Sequence, residues 1–250
     1  MDIYTDEHTL VLPGYEVYFT RFADSIIKDH FKEAMEEIST VLNGFYIPEG
    51  DIIKGGGGRS ATTKALEALL KDKRWTKRNI ESTLKVGNKT HASNSHEIDH
   101  YRSFPKGSIG LEIEWNSKDT SYDRDLENFK KWHQIGEMSL GIIITRGTSL
   151  HSECLHVYER FLDTLQPFDF PTVSSRLKLS DAAKEEIEPL FDQPKVQAVK
   201  AIAKAAYTSK FATSTTHMGK LLEKIGRGGG DPCPFILIGI GKERLITSTF

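Results

Sequence analysis

The feature that most constrains the fold is a change of hydrophobic period near the middle of the chain. From 109 to 116, Ile109, Leu111, Ile113 and Trp115 alternate with Gly110, Glu112, Glu114 and Asn116, which is the two-residue repeat of a strand. Glu112 and Glu114 therefore share a face. A polar turn over 117–123 leads to Leu126, Phe129, Trp132 and Ile135, a spacing that predicts a helix with these side chains turned inward. Leu140 to Ile144 is then a continuous apolar run, the pattern of a strand buried on both faces. Strand, helix and buried strand in succession predict a crossover unit with parallel strands.

The flanking segments fit the same class. Ile27, Phe31, Ala34, Ile38 and Leu42 form one apolar stripe, which predicts a helix over 21–42. Ser60 is placed to cap a second helix that carries Ala65, Leu66, Leu69 and Leu70 and ends near Trp75. Helical patterns recur at 154–165, 181–190, 196–207 and 218–225, and 234–240 reads as another buried strand. Helices alternating with buried strands predict a three-layer α/β/α domain around a mixed sheet. With no internal repeat and no low-complexity linker, residues 1–250 are expected to form a single domain.

Composition bounds the function. Hydrophobic residues make up 38% and charged residues 27%, a soluble globular profile, and no apolar run reaches the ~18 residues a membrane span needs. An acidic start (Asp2, Asp6, Glu7) is unlike a signal peptide, and the two cysteines, Cys154 and Cys233, are far apart, so the expected compartment is the cytoplasm. Net charge is only -2, but it is segregated: residues 1–51 hold 11 acidic and 3 basic side chains, residues 54–78 hold 2 acidic and 8 basic. The basic stretch suits either a polyanion-facing surface or a solvated helix face.

Three constellations could carry chemistry. Asp99 precedes the Glu112/Glu114 pair by thirteen residues; three converging carboxylates would be hard oxygen ligands for Mg²⁺, suited to phosphodiester hydrolysis, whereas glutamates alternating on a half-exposed strand could simply face solvent. His96-Glu97-Ile98-Asp99-His100 matches HExxH, which on a helix binds Zn²⁺ for peptide hydrolysis; the turn-rich residues before it and Pro105 and Gly107 after it favour a local turn instead. Lys54, four glycines and Arg59-Ser60 form a basic glycine loop without the Lys-Ser/Thr of a Walker loop. His151, Cys154 and His156 do not share one helix face, so packing and surface roles are expected for them.

The order Ile98-Asp99-His100-Tyr101, Gly110-Leu111-Glu112-Ile113-Glu114, Arg124 twelve residues before Gly136-Glu137, and then Leu140 to Ile144 resembles type II restriction endonucleases of the BamHI and BglII kind, within the PD-(D/E)xK nuclease superfamily. Ile142 to Gly147 and Pro234 to Ile240 are similar to segments of that family as well. The resemblance implies a restriction-endonuclease-like core and Mg²⁺-dependent, sequence-specific cleavage of double-stranded DNA that leaves a 5′-phosphate and a 3′-hydroxyl. It implies metal ligation by Asp99, Glu112 and the main-chain carbonyl of Ile113, with Glu114 in the position usually held by Lys. Asn116, Lys118 and Arg124 follow the catalytic strand and would read bases; Arg59, Lys220 and Arg227 would contact phosphates. Also implied are a homodimer on a palindromic site and a host methyltransferase of matching specificity. The motif's proline is missing before Asp99, Asn79 and Glu81 are weak candidates for a further acid, and residues 165–210 match no family segment, so they read as a divergent helical insertion. A DNA-binding module without catalysis would share the basic surface but not need the acids.

Overall fold

The period-two segment and the apolar run form parallel neighbouring strands joined by a crossover helix, as expected. In the computed structural model, which describes residues 2–54, 59–211 and 214–247, the elements run β1 (Ile3–Tyr4), β2 (Tyr15–Thr20), α1 (Ala23–His30), α2 (Lys32–Gly44), β3 (Ile47–Pro48), α3 (Glu49–Ile53), α4 (Ala61–Asp72), β4 (Thr76–Val86), β5 (Lys89–Phe104), β6 (Gly107–Glu114), α5 (Thr120–Gln134), β7 (Leu140–Arg146), α6 (Thr148–Thr164), α7 (Phe170–Leu177), α8 (Asp181–Ile187), α9 (Lys195–Lys210), α10 (Met218–Gly226), β8 (Phe235–Ile240) and β9 (Leu245–Ile246). Seven strands make one sheet in the order β1-β2-β8-β7-β6-β5-β4. The β6-β7-β8 centre is parallel and both flanks are antiparallel.

Alternation along the central strands builds a core on each face. Ile142 and Ile144 of β7 and Ile236 and Ile238 of β8 enter one cluster with Ile38 of α2, Leu66 of α4, Phe161 of α6 and Ile202 of α9. Ile143 and Leu237 point the other way, to Leu126 and Phe129 of α5 and Leu221 of α10. The architecture is therefore three-layer α/β/α with a mixed sheet. Among the described residues, no helix is long and apolar enough to cross a membrane.

Glycine at 110 and 141 is what lets α5 sit so close to the sheet. A Cβ at Gly110 would lie 2.6 Å from Met138 Sδ and 2.9 Å from Phe129 Cε1, and one at Gly141 would lie 2.7 Å from Phe235 Cε1. Gly110→Ala should overpack this layer and cost about 1–3 kcal/mol, which thermal denaturation will register as a drop of several degrees.

Several expectations are corrected. The stripe over 21–42 is two helices, because the chain leaves helical geometry at Phe31 (φ -132°, ψ 46°); that ring is buried edge-on to Phe104. Ile135 is exposed rather than inward, since α5 ends at Gln134. HExxH lies neither on a helix nor in a turn but within β5, where residues four apart stand about 13 Å from each other along the strand, so the one-turn helical spacing that the zinc motif relies on is absent. The side chain of His96 and the glycine run 55–58 lie outside the described residues.

Candidate active site

The site forms where two strands part. The β5–β6 ladder closes with the pair His100–Leu111, while β6 stays joined to β7 through Glu114–Thr145. One step past the last β5–β6 pair, the Asp99 amide donates to the Glu112 carboxylate at 3.2 Å. The main-chain acceptor of the ladder is thus replaced by a side-chain carboxylate, which brings Asp99 and Glu112 together. Glu114 follows on the same strand face, and its backbone carbonyl accepts from Thr145 Oγ1 (2.7 Å), itself 2.6 Å from Tyr122 Oη.

Neither glutamate faces bulk solvent: Glu112 is 6% exposed and Glu114 5%. Burial, followed by the negative charge of Asp125, raises both carboxyls, Glu112 well above the ordinary value and Glu114 to about 8. Asp125, on α5, is 1% exposed and pairs with Arg124 at 3.0 Å. Arg124 also lies 3.7 Å from Glu114 Oε1. The inner oxygen of Glu114, Oε2, has no hydrogen-bond partner among the described residues.

Asp99 is more open and holds two cations, Lys77 at 3.1 Å and Arg59 at 3.6 Å. Arg59 in turn bridges to Glu67 of α4 at 3.1 Å. Ser60 caps α4 by accepting the Thr63 amide at 3.0 Å, which fixes the start of the helix beside the acids. Glu67, Asp99, Ile113, Glu114, Asn116 and Arg124 line one cleft of about 730 Å³.

Neutral oxygens and buried acids of this kind are the donors that hard divalent cations take. Among the described residues, no three acidic side chains already close on one point as ligands: Asp99 is turned toward Lys77 and Arg59, and their charge offsets its own. The chemistry nevertheless fits a divalent ion. Glu112 and Glu114 are buried where charge is costly, Glu114 keeps an oxygen without a partner, and an added cation would favour the ionised form of both.

The remaining candidates are placed unevenly. Asn116 is already engaged, donating to the Lys210 carbonyl at 3.0 Å and accepting from Arg146 at 3.4 Å. Lys118 is exposed and bridges in strand fashion to Thr215. Lys220 pairs with Asp119 and Arg227 with Glu223, and neither lines the cleft. Asn79 and Glu81 are exposed on β4 outside the cleft lining. His151 stacks on His217 with 4.1 Å between ring centres, Cys154 is buried, and His156 pairs with Glu159, so these three do not meet.

Sequence reasoning missed Glu67 and Asp125. Asp125 had a signal: it lies three residues after Tyr122 and four before Phe129, on the buried stripe of α5. Glu67 lies one residue after Leu66 and three before Leu70, at the border of the buried stripe of α4.

Comparison with curated proteins gives no match. The family profile described as restriction endonuclease BglII/BglIII matches residues 15–240, a range that contains every acidic residue of the cleft and all three parallel strands. The chain belongs to the BglII/BglIII restriction endonuclease family, and its activity is type II site-specific cleavage of double-stranded DNA.

Proposed function

We propose that the cleft between β5 and β6 is the catalytic centre and that it works with Mg²⁺. Asp99, Glu112 and the main-chain carbonyl of Ile113 would hold the ion, and Glu114 would orient and deprotonate the attacking water. The observation that carries this reading is the Asp99 amide bonded to the Glu112 carboxylate at the point where the strands part, with Glu114 next to it on the floor of the cleft. When bound, the ion supplies charge neutralisation at the phosphate and makes water more acidic.

The chain's own groups account for the rest. Burial and then Asp125 raise the Glu114 carboxyl in the metal-free protein, and a bound cation, by favouring the carboxylate, would ready it to take the water's proton. Arg124, tied to Asp125 and close to Glu114, stands at the rim with its guanidinium mostly exposed, available to a guanine edge. Arg59 would exchange Glu67 and Asp99 for a DNA phosphate. Lys118 would read a base from the segment that follows Glu114, Asn116 would do so only by giving up its present partners, and Lys220 and Arg227 would contact phosphates outside the cleft. Water attacking the phosphorus opposite O3′ would break the P–O3′ bond, and O3′ would take a proton from solvent as it leaves, giving a 5′-phosphate and a 3′-hydroxyl.

Two related sites are needed to cut both strands of a palindrome, so the working form would be a homodimer. One domain, residues 1–250, would carry both catalysis and recognition, with the helices of 165–210 as its divergent part. Work in the cytoplasm beside host DNA would require a methyltransferase of the same specificity. The test is digestion of one mapped plasmid with end sequencing. Discrete fragments with Mg²⁺ and none with chelator are expected; intact DNA with Mg²⁺ would overturn the catalytic reading, and a random smear would overturn a single defined recognition site.

A further inference from the structure

Arg146, the last residue of β7, is fully buried, and among the described residues no carboxylate pairs with it. Its hydrogen bonds go to neutral oxygens: Nη1 donates to Asn116 Oδ1 (3.4 Å), and Nη2 donates to Thr215 Oγ1 and to the Thr216 carbonyl, both at 3.1 Å. The guanidinium lies 4.4 Å from the centre of the Phe211 ring, and Nε has no partner among the described residues. A buried charge without a counter-charge is costly, and an apolar residue of similar volume would often be neutral or better for stability. Stability alone therefore gives a weak reason for an arginine here.

The acceptors show what the fork holds. The segment leaving the catalytic strand is laced to residues 214–216: Ser117 N donates to Thr216 Oγ1 (3.2 Å), Thr216 N to the Ser117 carbonyl (2.9 Å) and Asp119 N to the Ser214 carbonyl (2.7 Å). Arg146 touches both sides of this lacing, through Asn116 on one and Thr215 and Thr216 on the other. A planar guanidinium fixes several acceptors in one plane, which a flexible ammonium does not.

We infer that Arg146 is a positioning residue for sequence recognition, clamping residues 116–119 to 214–216 and thereby setting the segment that follows Glu114. The link to recognition rests on the proposed base-reading role of Lys118; the clamp itself does not. Two readouts separate the parts. In Arg146→Met, amide hydrogen exchange at Ser117, Asp119 and Thr216 should rise at least tenfold while Ile142 to Ile144 stay protected; unchanged exchange at those three amides overturns the clamp. The ratio of cutting at the cognate site to cutting at single-base variants should fall at least tenfold, with binding to non-specific DNA within twofold of the wild type. An unchanged ratio beside loosened amides would overturn the base-reading role of Lys118 and leave the clamp standing. Arg146→Lys, which keeps the charge but not the fork, should loosen the same amides and serves as the variant read if the methionine form does not fold.

Discussion

Glu112→Gln should fold like the wild type and cut DNA at least about 10³-fold more slowly, a loss of about 4 kcal/mol of transition-state stabilisation. The substitution is close to isosteric, and the amide oxygen can still accept from the Asp99 amide, so the junction where β5 and β6 separate keeps its hydrogen bond. What disappears is a carboxyl beside Asp99 that a cation can draw into its ionised form, and with it the ability to hold that cation against the scissile phosphate. Burial holds the Glu112 carboxyl well above its ordinary value, so in the metal-free protein a neutral amide replaces a group whose ionisation is already disfavoured, and the melting temperature should not fall. Turnover on a mapped plasmid, read beside thermal denaturation and DNA binding, checks this. Cleavage within tenfold of the wild type would remove Glu112 from the reaction.

How far the sequence foretold this site depends on the range of the signal. Ile109 to Asn116 announces its strand because alternation is local, and the same alternation puts Glu112 and Glu114 on one face before any tertiary information is used. The buried run Leu140 to Ile144 is equally local. The stripe over 21–42 misleads for a physical reason: a break at Phe31 alters the backbone at one residue while leaving the apolar positions of both halves facing the same core. HExxH misleads because five letters carry no backbone conformation, and on β5 they describe a different object. Glu67 meets Asp99 through Arg59, across 32 residues of chain, and nothing local reports that contact. Arg146 is the clearest case: it ends a strand that reads as plainly apolar, and its role depends on where residues 116 and 214–216 come to lie.

The buried acids also set how the metal-free protein responds to pH. Glu114 has a folded-state pKa of about 8, above the ordinary carboxyl value, because burial and then Asp125 penalise its charge. Below the unfolded value both states are protonated and the group costs nothing; above it the unfolded chain ionises while the folded protein retains its proton. Folded protein then binds more protons than unfolded, so stability falls as pH rises through this window up to about 8. His100 works in the opposite sense. Burial lowers it to about 4, so its contribution is present at neutral pH and is lost as pH falls below its unfolded value toward 4. The difference between the wild type and Glu114→Gln reads this carboxyl together with its coupling to Asp125. In chelator, the variant should melt with the wild type near pH 4.5 and progressively higher above it, by roughly 2–4 °C at pH 8 for each kcal/mol removed in a chain of this size. Adding Mg²⁺ should stabilise the wild type more than the variant and release protons in doing so, with an affinity that strengthens as pH rises, because ligands must be ionised to bind. Melting curves from pH 4.5 to 8.5 with and without Mg²⁺ decide the matter: two proteins whose difference stays constant across that range would show that the Glu114 carboxyl is not raised in the folded chain, and the proton release linked to Mg²⁺ binding would go with it.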